Sequence, residues 1–283
     1  MMCEDDLYLE NVDWGEVWKA RMVRSKASHV HRIGPRWERT EDARRYDTEV
    51  DEEYRQRVQE TISLLPVREG TRVLDIGSGP GTLTIPLSER GAIITAVEPA
   101  AGMQQVLRER VAEAGFSVRL VEKTWEAVDP DTDLAGTYDI TLASFSLVME
   151  DIQAAVEKMV RVTAGEIFLI TFVEGPLWEQ MAKDLWPVLH GMPYYLGPKA
   201  NILWNVLYQM GIYADVRVGM LGKTYRFISL NEACSFFAHR FGAGDASQKE
   251  VIRMYLEEKN MAVDGTFLYR RESPYATIRW KTS

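Results

Sequence analysis

Residues 73–81 read Val-Leu-Asp-Ile-Gly-Ser-Gly-Pro-Gly, an apolar run that ends in three glycines. Glycines allow a tight turn and let a ligand touch backbone where a Cβ would collide, and a helix expected from Thr82 offers free N–H groups. Glu98 closes the next apolar run, where a carboxylate can accept both hydroxyls of a ribose. Strand, glycines, helix and distal acid in this order describe a seat for an adenosine-bearing cofactor. The spacing is G-x-G-x-G, and Thr82 occupies the last position of the dinucleotide pattern G-x-G-x-x-G. Asp75, two residues before Gly77, would lie beside a diphosphate at an electrostatic cost. A ligand carrying an amino group and a sulfonium would instead gain from it.

With these features on one segment, the sequence resembles the class I, Rossmann-like methyltransferases that use S-adenosylmethionine, especially the small-molecule branch similar to UbiE. Residues 73–81 look like that family's first motif, and Ala96-Val97-Glu98-Pro99 with Gly102-Met103 looks like its second. The resemblance covers residues 46–173 and includes a Tyr46-Asp47 pair. It implies that Asp75, Gly77, Gly79 and Gly81 hold the methionine part, Glu98 the ribose and Met103 one adenine face, with Ser78 and Pro99 as further cofactor-binding residues. After the third strand many relatives carry an acid near the adenine amino group, whereas this chain reads Glu122-Lys123-Thr124-Trp125-Glu126. Trp125 is read either as an adenine stack or as a core aromatic, with Thr124 or Glu126 as the polar contact. Ser144 and Phe145 end the fourth strand, on the rim where open α/β sheets bind ligands.

Methyl transfer from such a cofactor is an in-line displacement, so the chain's task is to position an acceptor and exclude water, and no triad is required. No catalytic residue is assigned. His29 and His31, near Trp37, are candidate bases or acceptor contacts, with surface histidines as the alternative reading. Tyr46, Tyr194, Tyr195 and Trp204 are further candidates for an acceptor pocket, with core aromatics as the alternative. No metal-ligand spacing and no G-x-S-x-G elbow occurs.

Positioning these groups requires alternating strands and helices. Strands are predicted at 73–76, 93–97, 118–121, 138–143 and 167–173, with helices at 83–90, 103–114 and 152–162. Two helices are expected before them, separated by a partly irregular basic connector over 25–46. After residue 173 the rhythm breaks into an aromatic stretch. A helix at 201–210, a strand at 214–218, helices at 232–240 and 248–258, and a β-rich run at 266–280 follow. The fold class expected is α/β: a Rossmann-like, mostly parallel sheet with antiparallel C-terminal strands and helices on both faces, plus N-terminal helices and a C-terminal helical insertion. Residues 1–66 form an N-terminal helical extension or lid, and residues 67–283 the main domain, with the insertion at about 230–265.

The chain has 283 residues, 46% of them hydrophobic, and a formal net charge of -9, which disfavours non-specific nucleic-acid binding. Two cysteines, the acidic N-terminal residues and the lack of any membrane-length apolar run point to a cytoplasmic protein without disulfides. A small-molecule acceptor, no membrane and a homo-oligomer as an open option are the expected partners. The basic residues between Lys19 and Arg45 keep open an alternative acceptor, protein or tRNA, and Glu98 alone would also suit a nicotinamide-dependent oxidoreductase.

Overall fold

The structure, a computed structural model, describes residues 12–33, 36–48, 52–259, 261–263 and 266–282. Strands β1 (Arg72–Ile76), β2 (Ile93–Val97), β3 (Arg119–Val121), β4 (Tyr138–Ser144) and β5 (Thr163–Phe172) are mutually parallel in the order 3-2-1-4-5. Beyond β5 the sheet turns antiparallel, first with β8 (Thr266–Lys281) and then with β6 (Asp215–Phe227) at the edge, while β7 (Met261–Val263) also pairs with β8.

The parallel strands are apolar on both sides because both faces are covered. Leu74 and Ile76 point into one core with Val97, Val156, Met159 and Leu203. Successive strand residues face opposite ways, so Val73 joins Ile94, Leu142 and Phe168 in the other. The first face is covered by α1 (Trp14–Ile33), α6 (Ile152–Val162) and α8 (Ala200–Gln209). The second is covered by α3 (Glu52–Leu64), α4 (Thr84–Glu89) and α5 (Ala101–Ala114).

Among the described residues three α-helices, not two, precede β1, because the connector is largely helical: α1 continues to Ile33, a 3-10 turn spans Arg36–Glu38, and α2 covers Thr40–Thr48. Trp18, Met22 and Ser25 recur at helical spacing on the buried side of α1, while Lys19, Arg21 and Arg24 face outward. The basic residues are therefore an outer face of a packed helix, and the Trp18 indole N–H donates to the Met149 carbonyl at 2.8 Å.

At the carboxyl edge, β5 stops with Phe172 opposite Tyr275, but β6 and β8 remain paired out to Phe227 and Phe267. This ribbon carries a second core, built with α7 (Leu177–His190), α9 (Leu230–Phe241) and α10 (Ala246–Lys259) around Trp186, Phe237, Phe241 and Ile252. Trp178 and Trp186 of the aromatic stretch after residue 173 lie on helix α7, Tyr194 and Tyr195 follow it, and the helix caps the carboxyl ends of the strands. Among the described residues no helix is long and apolar enough to cross a membrane.

Candidate functional site

Strand β1 delivers Asp75 and the glycine turn to the carboxyl edge. Asp75 is buried and its Oδ2 accepts a 2.7 Å hydrogen bond from the Thr84 hydroxyl. Burial dominates its titration, pushing the carboxyl up to about 7; the Thr84 bond opposes this and the negative charge of Glu98 adds to it. Glu98 ends β2, and its two oxygens accept the N–H groups of Gly79 and Ala100, each at 2.9 Å. Burial raises its pKa too, against those two backbone donors. Two carboxylates are therefore held beside one turn at an electrostatic cost, which a bound cation and hydroxyl donors would relieve.

Two glycines shape the turn for different reasons. Gly77 has φ 71°, and a Cβ there would meet the Ser146 Cβ at 2.3 Å; the Ser146 hydroxyl donates to the Ile76 carbonyl at 2.6 Å, tying the exit of β4 to that of β1. Gly79 has φ 56° and nothing within 4 Å of its missing Cβ, so its bare backbone faces open space.

The N-terminal arm roofs this seat. Ala100 supplies no side-chain cap to α5, and Glu38 instead accepts the Ala101 N–H at 3.2 Å. A Cβ on Gly102 would stand 2.6 Å from the Trp37 carbonyl oxygen, so glycine lets the arm's backbone lie directly on α5. Trp37 and Tyr46 then pack on Ala100 and Met103, and the Tyr46 and Tyr54 hydroxyls are 3.1 Å apart.

A cavity of about 800 Å³ runs from this seat to the cap. On its far side Phe145, the single non-glycine residue with positive φ among those described (55°), sets its ring 4.5 Å from that of Phe172. Trp178, Trp186, Tyr194, Tyr225 and Phe241 close the wall from the cap, together with Arg57 from α3 and Arg240 from α9. Burial, and then the charge of Glu179, push the Tyr194 phenol far above its usual range, so it stays protonated. Among the described residues no group of three or more His, Cys, Asp or Glu could hold a metal ion.

The sequence matches the methyltransferase domain family over residues 73–165. An uncharacterized protein of Haemophilus influenzae is 27% identical over 207 residues, 68% of this chain and 69% of that protein. Among solved structures, a candidate methyltransferase of Bacillus halodurans C-125 superposes with a TM-score of 0.56 at 12% identity, over 80% of this chain and 98% of that one. Magnesium protoporphyrin IX methyltransferase of Synechocystis PCC 6803, solved with bound S-adenosylhomocysteine, gives 0.50 at 14% identity, over 82% and 85% of the two chains. The fold is that of the class I S-adenosylmethionine-dependent methyltransferases.

Within this methyltransferase fold, the residues singled out from sequence divide clearly. Asp75, Gly77, Ser78, Gly79, Glu98, Pro99 and Met103 line one end of the cavity, joined by Thr124, Trp125 and Glu126. Ser144 and Phe145 line it from β4, and Trp37, Tyr46 and Tyr194 also reach it. Gly81 does not line it: it lies behind the turn, where its missing Cβ would be 2.6 Å from Leu107 Cδ1, and its small size serves helix packing. Tyr195 is also outside, stacked beneath Arg24 of α1 at 3.9 Å. Trp204 lies on the surface of α8, stacked on Tyr208. Trp125 is chiefly a core aromatic, 2% exposed, with its indole N–H donated to the Ala155 carbonyl at 3.0 Å, and only part of it borders the cavity. Thr124 caps the short turn that holds it. His29 and His31 belong to α1, not to an irregular connector, and their side chains lie outside the described residues.

Sequence reasoning missed Tyr54, Arg57, Phe172, Trp178, Trp186 and Arg240, all of which line the cavity. A signal existed for the first two, since Tyr54 and Arg57 fall three residues apart on the inward face of α3. Trp178 and Trp186 lay in the aromatic stretch after residue 173, but which of its rings face the cavity, and that Arg240 joins them, follows only from the folded ribbon that brings α7 and α9 over the strand ends.

Proposed function

We propose that this protein is an S-adenosylmethionine-dependent methyltransferase of the small-molecule branch similar to UbiE. The observation that carries the reading is Asp75: a buried carboxylate at the glycine turn, unfavourable to a diphosphate and favourable to an amino acid ammonium or a sulfonium. The residues fit the cofactor. Asp75 and the open backbone at Gly79 would hold the methionine end, Glu98 the ribose hydroxyls, and Met103 with the Trp37 arm the adenine.

When bound, S-adenosylmethionine supplies a methyl group activated by a sulfonium. The chain's contribution is to bring an acceptor atom in line with that methyl, at about 3 to 3.5 Å, and to keep water out. Within the N-terminal extension, residues 36–48 act as the lid over the adenine side, and residues 67–283 form the catalytic unit, whose ribbon, α7, α9 and α10 close the acceptor side. A cavity of about 800 Å³ shared by both ligands and walled by aromatic rings fits a small, largely apolar acceptor. The protein or tRNA alternative loses support because Lys26, Arg39 and Arg44 of the basic segment engage Glu150, Asp42 and Glu109 in ion pairs. Tyr194 cannot serve as a base in its protonated state, and no general base is assigned.

Thermal denaturation with S-adenosylhomocysteine or NADH tests the reading. S-adenosylhomocysteine raises the melting temperature and NADH does not; a rise with NADH alone would replace the proposal with an oxidoreductase.

A further inference from the structure

Arg57 is the cavity's unusual residue. It sits in the middle of α3 and is 4% exposed, yet its Nε and Nη1 have no hydrogen-bond partner and no carboxylate pairs with it among the described residues. Its guanidinium rests between two rings, 4.7 Å from the Tyr54 centroid and 5.0 Å from that of Phe145. A desolvated charge without an anion is expensive, and aromatic faces recover only part of that cost. Other cations near the cavity have partners: Lys26 pairs with Glu150, and Lys199, below the cap, with Glu179. Arg240, half-buried over Trp178 at 5.0 Å, is a second guanidinium with a buried Nε left unbonded.

The placement is polar across the cavity. Asp75 and Glu98 stand at the ends of β1 and β2. Arg57 lies over Phe145 at the end of β4, whose ring contacts Phe172 of β5 and Tyr275 of β8. The cationic wall is thus on the opposite side of the glycine turn, beneath the aromatic cap. Arginine at such a site presents a planar fork that matches a carboxylate.

We propose that the methyl acceptor is an organic carboxylate with an apolar, aromatic-sized body, and that Arg57 receives its charge. This rests on the methyltransferase reading above and adds the substrate class to it. Arg57 is a specificity residue here, binding the acceptor's anionic group whichever atom takes the methyl.

The test uses the full chain saturated with S-adenosylhomocysteine and titrated with benzoate, 2-naphthoate and decanoate, each beside its neutral amide, by calorimetry. At least one carboxylate binds more tightly than its amide by about tenfold or more, the value of a charge-assisted hydrogen bond. Arg57→Met abolishes that preference, Arg57→Lys keeps part of it, and neither changes S-adenosylhomocysteine affinity by more than about twofold. Arg57→Met also melts at or above the wild-type temperature without ligand, since an unpaired buried charge has been removed. The proposal is overturned if no carboxylate is preferred, if Arg57→Met melts several degrees lower, or if it weakens S-adenosylhomocysteine instead. That last result would assign the guanidinium to the cofactor's own carboxylate. Wild-type protein that fails to bind S-adenosylhomocysteine at all overturns the underlying methyltransferase reading, and this proposal with it.

Discussion

Asp75 concentrates the chemistry of the site in one carboxyl group. Its pKa, raised to about 7 when folded against 3.8 ordinarily, means that the folded chain holds a proton the unfolded chain releases between those values. Its contribution to stability is therefore greatest at low pH and is lost as pH rises through 7. Asp75→Asn removes that loss: without ligand the variant melts higher than wild type at pH 8, the gap narrows toward pH 4, and S-adenosylhomocysteine affinity falls by about tenfold or more. Scanning calorimetry at several pH values checks the first part and titration the second. A smaller change tests the geometry of the turn. Gly77→Ala puts a methyl 2.3 Å from the Ser146 Cβ at φ 71°, so it strains the turn and costs about 1 to 3 kcal/mol, readable in urea denaturation.

Single helices and strands decide how that carboxyl is enclosed. Strands β1 to β5 were legible because buried parallel strands are short apolar runs, and the turn was legible because its glycines follow one directly. The C-terminal ribbon was only half legible. Gly219, Gly222, Ser273 and Pro274 interrupt the strand pattern, yet the Tyr275 ring covers Gly219, 2.8 Å from where its Cβ would be, and the pairing runs through unbroken. Helix α7 was hidden by Pro187, although Met181, Ala182, Leu185, Trp186 and Leu189 recur at helical spacing on its buried face and Lys183, Asp184 and Val188 face outward. The basic connector, expected to be partly irregular, is more helical than its composition suggested, and the contact of Gly102 with the Trp37 backbone helps to set its course. Gly102→Leu cannot keep that contact. It should lift the arm, leave the sheet intact by circular dichroism, and speed S-adenosylhomocysteine dissociation about tenfold in stopped-flow chase. An unchanged rate would mean that the arm does not retain the ligand.

At the scale of the molecule, two cores meet across one cavity: the sheet with its flanking helices, and the aromatic cap on the ribbon. The first half of the candidate site came from local motif chemistry, within one strand-turn-helix-strand segment. The second half assembles from α3, β5, α7 and α9, far apart in sequence, which no spacing rule links. Phe237 is fully buried at the centre of the cap core. Phe237→Ala should cost about 3 to 5 kcal/mol, with hydrogen exchange rising mainly over α7, α9 and α10 if the cap opens as its own unit. The central claim, that a buried carboxylate beside the glycine turn seats the ammonium of an adenosine cofactor, is tested most directly by titrating S-adenosylhomocysteine at pH 6 and pH 8 in buffers of different ionisation enthalpy. A ligand ammonium beside Asp75 favours the ionised carboxyl, so binding at pH 6 should release a proton and be weaker than at pH 8, with both effects gone in Asp75→Asn. Binding that is independent of pH and of Asp75, or no binding at either pH, would contradict the account.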